Sequence, residues 1–119
     1  MMLLDTHALI WALFDSSKLS QTAKDNILDN DKLYVSIVSL WEIAIKQNIG
    51  KLDLTNSIQE IEQICEEEDI KILPIRAAEL DYVKQLPFEH RDPFDRLIIA
   101  QAKINGLSII TRDTQFPKY

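Results

Sequence analysis

Asp92-Pro93-Phe94-Asp95-Arg96-Leu97-Ile98-Ile99-Ala100-Gln101-Ala102-Lys103-Ile104-Asn105-Gly106-Leu107-Ser108-Ile109-Ile110-Thr111 is a helix that runs directly into a strand. Asp92 suits an N-cap, Pro93 the first helical position, and Asp95 the third, where an acid favours the helix dipole. Leu97, Ile98, Ile99, Ala100, Ala102 and Ile104 give the helix its apolar surface, and Gly106 stops it. Leu107 to Thr111 is then a β-branched, apolar strand candidate.

The same alternation extends back to the N-terminus. Met2 to Leu4 is a short apolar run, followed by Asp5-Thr6 and a helix from His7 to Phe14 with Leu9, Ile10, Leu13 and Phe14 on one side. Ser20 suits the N-cap of a second helix carrying Ala23, Ile27 and Leu28. Leu33 to Ile37 reads as a strand and Leu40 to Asn48 as a helix ending near Gly50. Ser57 and Glu60 have capping-box spacing and open a helix with Ile58, Ile61, Ile64 and Cys65 facing inward. A strand lies within Ile70 to Ile75, and a helix from Ala77 to Leu86 stops at Pro87. The order β-α-α-β-α-α-β-α-α-β predicts an α/β fold: four parallel strands with helices on both faces, in one domain over residues 1–119.

Composition narrows the function. The 119 residues suit a single domain, and 46% apolar with 27% charged residues is a soluble globular balance. The net charge of −6 excludes bulk attraction to nucleic acid or to an anionic membrane, so a polyanionic substrate needs a local source of positive charge. One cysteine, Cys65, allows no internal disulfide and no Cys-rich zinc site, which points to a reducing cytoplasm. No apolar run approaches the roughly 20 residues of a membrane span, and two glycines argue against a Gly-rich phosphate loop.

In a parallel sheet the strand C-termini and the following helix N-termini share one edge, where ligands bind. Asp5 follows the first strand, Glu42 falls in the first turn of the helix after the second, Asp92 and Asp95 open the helix before the last strand, and Asp113 follows that strand. Carboxylates gathered there repel one another unless a cation sits among them, and oxygen ligands select a hard ion, Mg²⁺ or Mn²⁺. One or two such ions could activate water for phosphodiester cleavage and attract phosphate. Each acid also has a plainer reading. Asp5 can cap a helix, Glu42 can be the capping-box partner of Ser39, Asp95 can serve the helix dipole, and Asp113 can be a turn residue. Lys46, Lys51, Arg91, Arg96 and Arg112 fall at or beside this edge and are candidates to guide RNA, against the plainer reading of ordinary surface charge. Trp11 and Trp41 read as core, and His7 and His90 as structural or surface groups.

Leu3-Leu4-Asp5-Thr6-His7-Ala8-Leu9-Ile10-Trp11, Ser36-Ile37-Val38-Ser39-Leu40-Trp41-Glu42-Ile43-Ala44, His90 to Ala102, and Ile110-Thr111-Arg112-Asp113 together resemble PIN-domain ribonucleases, with most likeness to the VapC toxins of toxin–antitoxin pairs. The resemblance implies a three-layer α/β/α sandwich. It implies that Asp5, Glu42, Asp95 and Asp113 form the acidic quartet that holds Mg²⁺ or Mn²⁺, with Thr6 and Thr111 orienting ligands or water and Asp92 secondary. It further implies a cytoplasmic endoribonuclease acting on tRNA or mRNA, a homodimer, and a cognate antitoxin whose Arg or Lys enters the acidic groove. DNA would be reached only through that antitoxin. Similar proteins commonly continue past the position of Tyr119 into a last short strand, a fifth at the sheet edge, whose lack would lower stability rather than remove the chemistry.

Two other classes compete. A catalytically silent PIN-like module would act through a protein partner alone; the intact quartet speaks against it. A metal-dependent phosphatase normally needs a second acid two positions after its nucleophilic Asp, and here Asp5 is followed by Thr6 and His7.

Overall fold

The computed structural model describes residues 1–29, 32–87 and 92–110. Among them the order is β1 (Met2–Leu4), α1 (Thr6–Phe14), a short 3-10 turn (Ser16–Lys18), α2 (Gln21–Asp29), β2 (Leu33–Ser36), α3 (Ile37–Asn48), α4 (Ile58–Glu67), β3 (Ile70–Leu73), α5 (Ala77–Val83), α6 (Pro93–Asn105) and β4 (Ser108–Ile110). The strands form one parallel sheet in the order β3-β2-β1-β4. Leu4 is level with Val35 on one side and Ile110 on the other, so the C-terminal ends of β2, β1 and β4 lie side by side.

The sheet is covered on both faces, as an all-parallel sheet requires. Strand alternation sends Leu4, Val35 and Ile110 to one face, against Ala8, Leu9, Leu40, Ile43, Ile61 and Cys65 of α1, α3 and α4. It sends Leu3 to the other, against Ile98 and Ala102 of α6. This is the α/β/α sandwich expected from the sequence. A fifth strand, if formed, falls outside the described residues. No helix among those described is long and apolar enough to cross a membrane.

Several boundaries follow local chemistry. Gly106 adopts φ 66°, which lets the Leu107 N–H reach back to the Ala102 carbonyl at 2.8 Å and close α6. The Ser57–Glu60 capping box at α4 forms as the spacing predicts. Two boundaries differ. The helix expected from Leu40 starts at Ile37, because the Ser36 hydroxyl accepts the Val38 N–H at 3.0 Å and caps it there. The helix expected to reach Leu86 ends at Val83, and residues 84–86 tighten into i→i−3 bonds.

A buried polar cluster ties α5 to α6. Glu79 accepts from the Arg76 backbone N–H at 2.9 Å and from Asn105 Nδ2 at 2.9 Å, and pairs with the Arg76 guanidinium at 3.4 Å. Gln101 Nε2 donates to the Pro74 carbonyl at 3.1 Å and to Glu79 at 3.4 Å. Burial alone would raise the Glu79 pKa; the hydrogen bonds from Arg76, Asn105 and Gln101 and the Arg76 charge overcome it, and the net direction is down.

Candidate active site

Asp5 stands where β1 ends and α1 begins. It caps α1, its Oδ1 accepting the Ala8 N–H at 2.7 Å, so the plainer reading of this residue is true as far as it goes. Its own N–H donates to the Ile110 carbonyl at 3.0 Å, which holds it against the end of β4. The side chain is buried, 5% exposed.

Glu42 is equally buried at 5%. Because α3 starts at Ile37, Glu42 lies in the second turn rather than the first, and Ser39 is no N-cap. The capping-box reading is therefore overturned. The Ser39 hydroxyl lies 3.0 Å from Thr6 Oγ1, and Thr6 donates to Glu42 Oε1 at 2.6 Å. The second carboxylate oxygen, Oε2, pairs with Lys46 Nζ at 2.9 Å, one turn further along α3.

Asp95 enters from α6. Asp92 accepts the N–H groups of Phe94 at 2.8 Å and Asp95 at 3.2 Å, so it is the N-cap that presents Asp95. Burial pushes the Asp95 carboxyl up to about 7, and the charges of Asp92, Glu42 and Asp5 add to the rise, while Lys46 opposes it. Three elements distant in sequence thus bring their acids within electrostatic reach of one carboxyl. Asp113, Thr111, Arg91 and Arg112 lie outside the described residues.

Arg96 is engaged in the fold. Its guanidinium donates to the carbonyls of Pro87 at 2.8 Å, Val83 at 2.9 Å and Leu86 at 3.2 Å, which secures the chain leaving α5. Trp41 differs from expectation: it is 56% exposed, with its ring edge-to-face on Phe94 at 5.1 Å. On a helix that turns Glu42 inward, the residue before it rotates outward by about 100°. Trp41 and Phe94 therefore flank the site, each one position ahead of an acid. Ser39 also belongs to the site; its buried hydroxyl could be found only once the phase of α3 was known.

Among the described residues, no three His, Cys, Asp or Glu side chains are gathered closely enough to hold an ion between them. The donor chemistry nevertheless fits a hard dication. Asp5, Glu42 and Asp95 offer only carboxylate oxygen, and burial together with the neighbouring carboxylates raises the Asp95 pKa, a rise that a divalent ion would offset. Lys46 supplies part of that balance already.

The PIN domain family matches this chain over residues 2–119. Ribonuclease VapC22 of Mycobacterium tuberculosis (strain ATCC 25618 / H37Rv) is 29% identical over 113 residues, which cover 93% of this chain and 85% of that protein. A solved structure described as a toxin-antitoxin complex from Klebsiella pneumoniae matches 97% of this chain and 88% of its own, with a TM-score of 0.63 and 19% identity; at that identity the likeness speaks for the fold.

Proposed function

The chain belongs to the PIN domain family, and on that premise we propose that it is a divalent-metal-dependent endoribonuclease, the toxin of a toxin–antitoxin pair. The observation that supports the reading is that Asp5 and Glu42, carried by two other elements, both act electrostatically on Asp95. The likeness to Ribonuclease VapC22 supports the substrate class.

In this reading Asp5 and Asp95 hold the ion, and Glu42 completes the site directly or through water, with Asp113 as the fourth acid. A bound Mg²⁺ or Mn²⁺ supplies Lewis acidity, lowering the pKa of water and neutralising phosphate charge for in-line cleavage to 5′-phosphate and 3′-hydroxyl ends. The chain supplies orientation. The Ala8 N–H fixes the Asp5 carboxylate, Thr6 fixes that of Glu42, and the Asp92 cap fixes the start of α6 beneath Asp95. A homodimer and an antitoxin that covers the acidic groove with a basic side chain belong to the same proposal.

One observation favours a second reading, a PIN-like module that binds a partner without cleaving: both Glu42 oxygens already have protein partners. A cleavage assay separates the two. The purified chain is incubated with tRNA and mRNA pools in Mn²⁺ or EDTA, and new 5′ ends are mapped. The nuclease cuts in Mn²⁺ alone, and Asp5→Asn does not cut. Cleavage retained by pure Asp5→Asn refutes the site; no cleavage under any metal condition supports the silent module.

A further inference from the structure

We propose that Lys46 is a tethered counter-ion that holds Glu42 when no dication is bound and is displaced from it when one binds. The inference rests on the metal-dependent reading above and adds a residue that competes with the ion. Three observations support it. Lys46 Nζ lies 2.9 Å from Glu42 Oε2, on a carboxylate that is almost wholly buried. The Lys46 charge also opposes the rise in the Asp95 pKa, so the ammonium is within electrostatic reach of an acid on another helix. The Lys46 side chain is 33% exposed, which leaves it a route outward without disturbing the core.

The physical argument is one of charge balance. A buried carboxylate left unpaired is costly, and Asp5, Glu42 and Asp95 together would burden the metal-free fold. A lysine four residues along the same helix is well placed to offset that charge, since i and i+4 side chains share one face. A dication at the same carboxylates brings two positive charges where Lys46 brings one, and the two repel. The long lysine stem then swings the ammonium to the rim, where an RNA phosphate can take it as its partner. Lys46 is a positioning residue here, acting through Glu42.

The test compares wild type with Lys46→Met, which keeps the stem and removes the charge, and with Lys46→Gln as a second neutral variant. Mn²⁺ affinity is read by calorimetry without RNA, and Tm is read in EDTA and in saturating Mn²⁺. The neutral variants bind Mn²⁺ on the order of tenfold more tightly, as expected when a unit charge is removed from beside a divalent ion. Their Tm lies below wild type in EDTA, and the deficit closes or reverses in Mn²⁺. In the wild type, the Lys46 Nζ NMR signal moves to the position of a solvated lysine as Mg²⁺ is added.

Unchanged or weaker Mn²⁺ affinity in both variants, or the same Tm deficit with and without metal, overturns the proposal while leaving the nuclease reading standing. Wild type and variants that all fail to bind Mn²⁺ or Mg²⁺ overturn both. Should one variant fold poorly, the wild-type NMR titration decides alone: a Lys46 signal that stays in its ion-paired position at saturating Mg²⁺ rejects displacement.

Discussion

Thr6 donates its hydroxyl proton to Glu42 Oε1 at 2.6 Å, joining the start of α1 to the second turn of α3 across 36 positions of sequence. Both residues are buried, so this bond fixes the direction of the carboxylate as well as satisfying it. Thr6→Val keeps the shape and removes the donor, leaving Glu42 Oε1 without its partner. Urea unfolding in EDTA should show a loss of about 1–3 kcal/mol. Mn²⁺ affinity should fall as well, and Thr6→Ser should restore most of both. A Thr6→Val chain as stable as wild type would mean that Glu42 finds another donor.

Asp95 gives the site a pH signature. The unfolded carboxyl titrates near 3.8 and the folded one near 7, so the folded state holds the proton more tightly. Its contribution to stability is full below 3.8 and is lost as pH rises through about 7. In EDTA, Asp95→Asn should therefore be more stable than wild type at pH 8, by a few kcal/mol at most because the group is partly exposed, and the two should converge at pH 4. Added Mn²⁺ should reverse the order at pH 8 by stabilising wild type alone. Thermal melts across pH with and without metal check both signs.

How far the sequence could be read depended on how local the deciding chemistry was. Asp92-Pro93 and Gly106 bound α6 as expected, because a cap is settled within a turn of the chain. Ile37 reads as the end of the preceding strand, because a β-branched residue suits a strand and only the Ser36 cap decides otherwise. That boundary also set the phase of α3, and so hid the outward turn of Trp41 and the inward turn of Ser39. That the charges of Asp5 and Glu42 reach Asp95 was legible from topology alone, since a parallel sheet brings those junctions to one edge. The i, i+4 spacing of Glu42 and Lys46 was legible too, but the influence of Lys46 on Asp95 depends on how α6 packs beside α3, which no local pattern encodes.

Glu79 predicts the opposite pH dependence to Asp95. Its folded pKa lies below the ordinary 4.5, so its stabilising contribution is present above 4.5 and is lost as pH falls through the lower folded value. Glu79→Ala removes the acceptor shared by Arg76, Asn105 and Gln101 and leaves those donors without it. The expected loss at pH 7 is about 1–3 kcal/mol, the scale for leaving buried hydrogen-bond donors without their acceptor, because the Arg76 side chain is 58% exposed and can rehydrate. The deficit should shrink in acid, where wild type also loses the charge. Hydrogen exchange should find the weakening concentrated in α5 and its contact with α6, with the Asp5–Glu42 region protected as before.

Arg96 separates a structural arginine from an RNA-guiding one. Its guanidinium donates to three backbone carbonyls, those of Val83, Leu86 and Pro87, which close the end of α5. Charged donors of this kind contribute about 1.5–3 kcal/mol each when fully buried and less at a partly exposed site. Arg96→Met keeps the aliphatic stem and removes every donor. Stability should fall by about 1–3 kcal/mol, while the salt dependence of RNA binding by the folded variant stays that of wild type. Lys46→Met should instead reduce the slope of log affinity against log salt by nearly one, the value for a single phosphate contact. An Arg96→Met chain that keeps wild-type stability but loses a unit of that slope would place Arg96 on the substrate rather than in the fold.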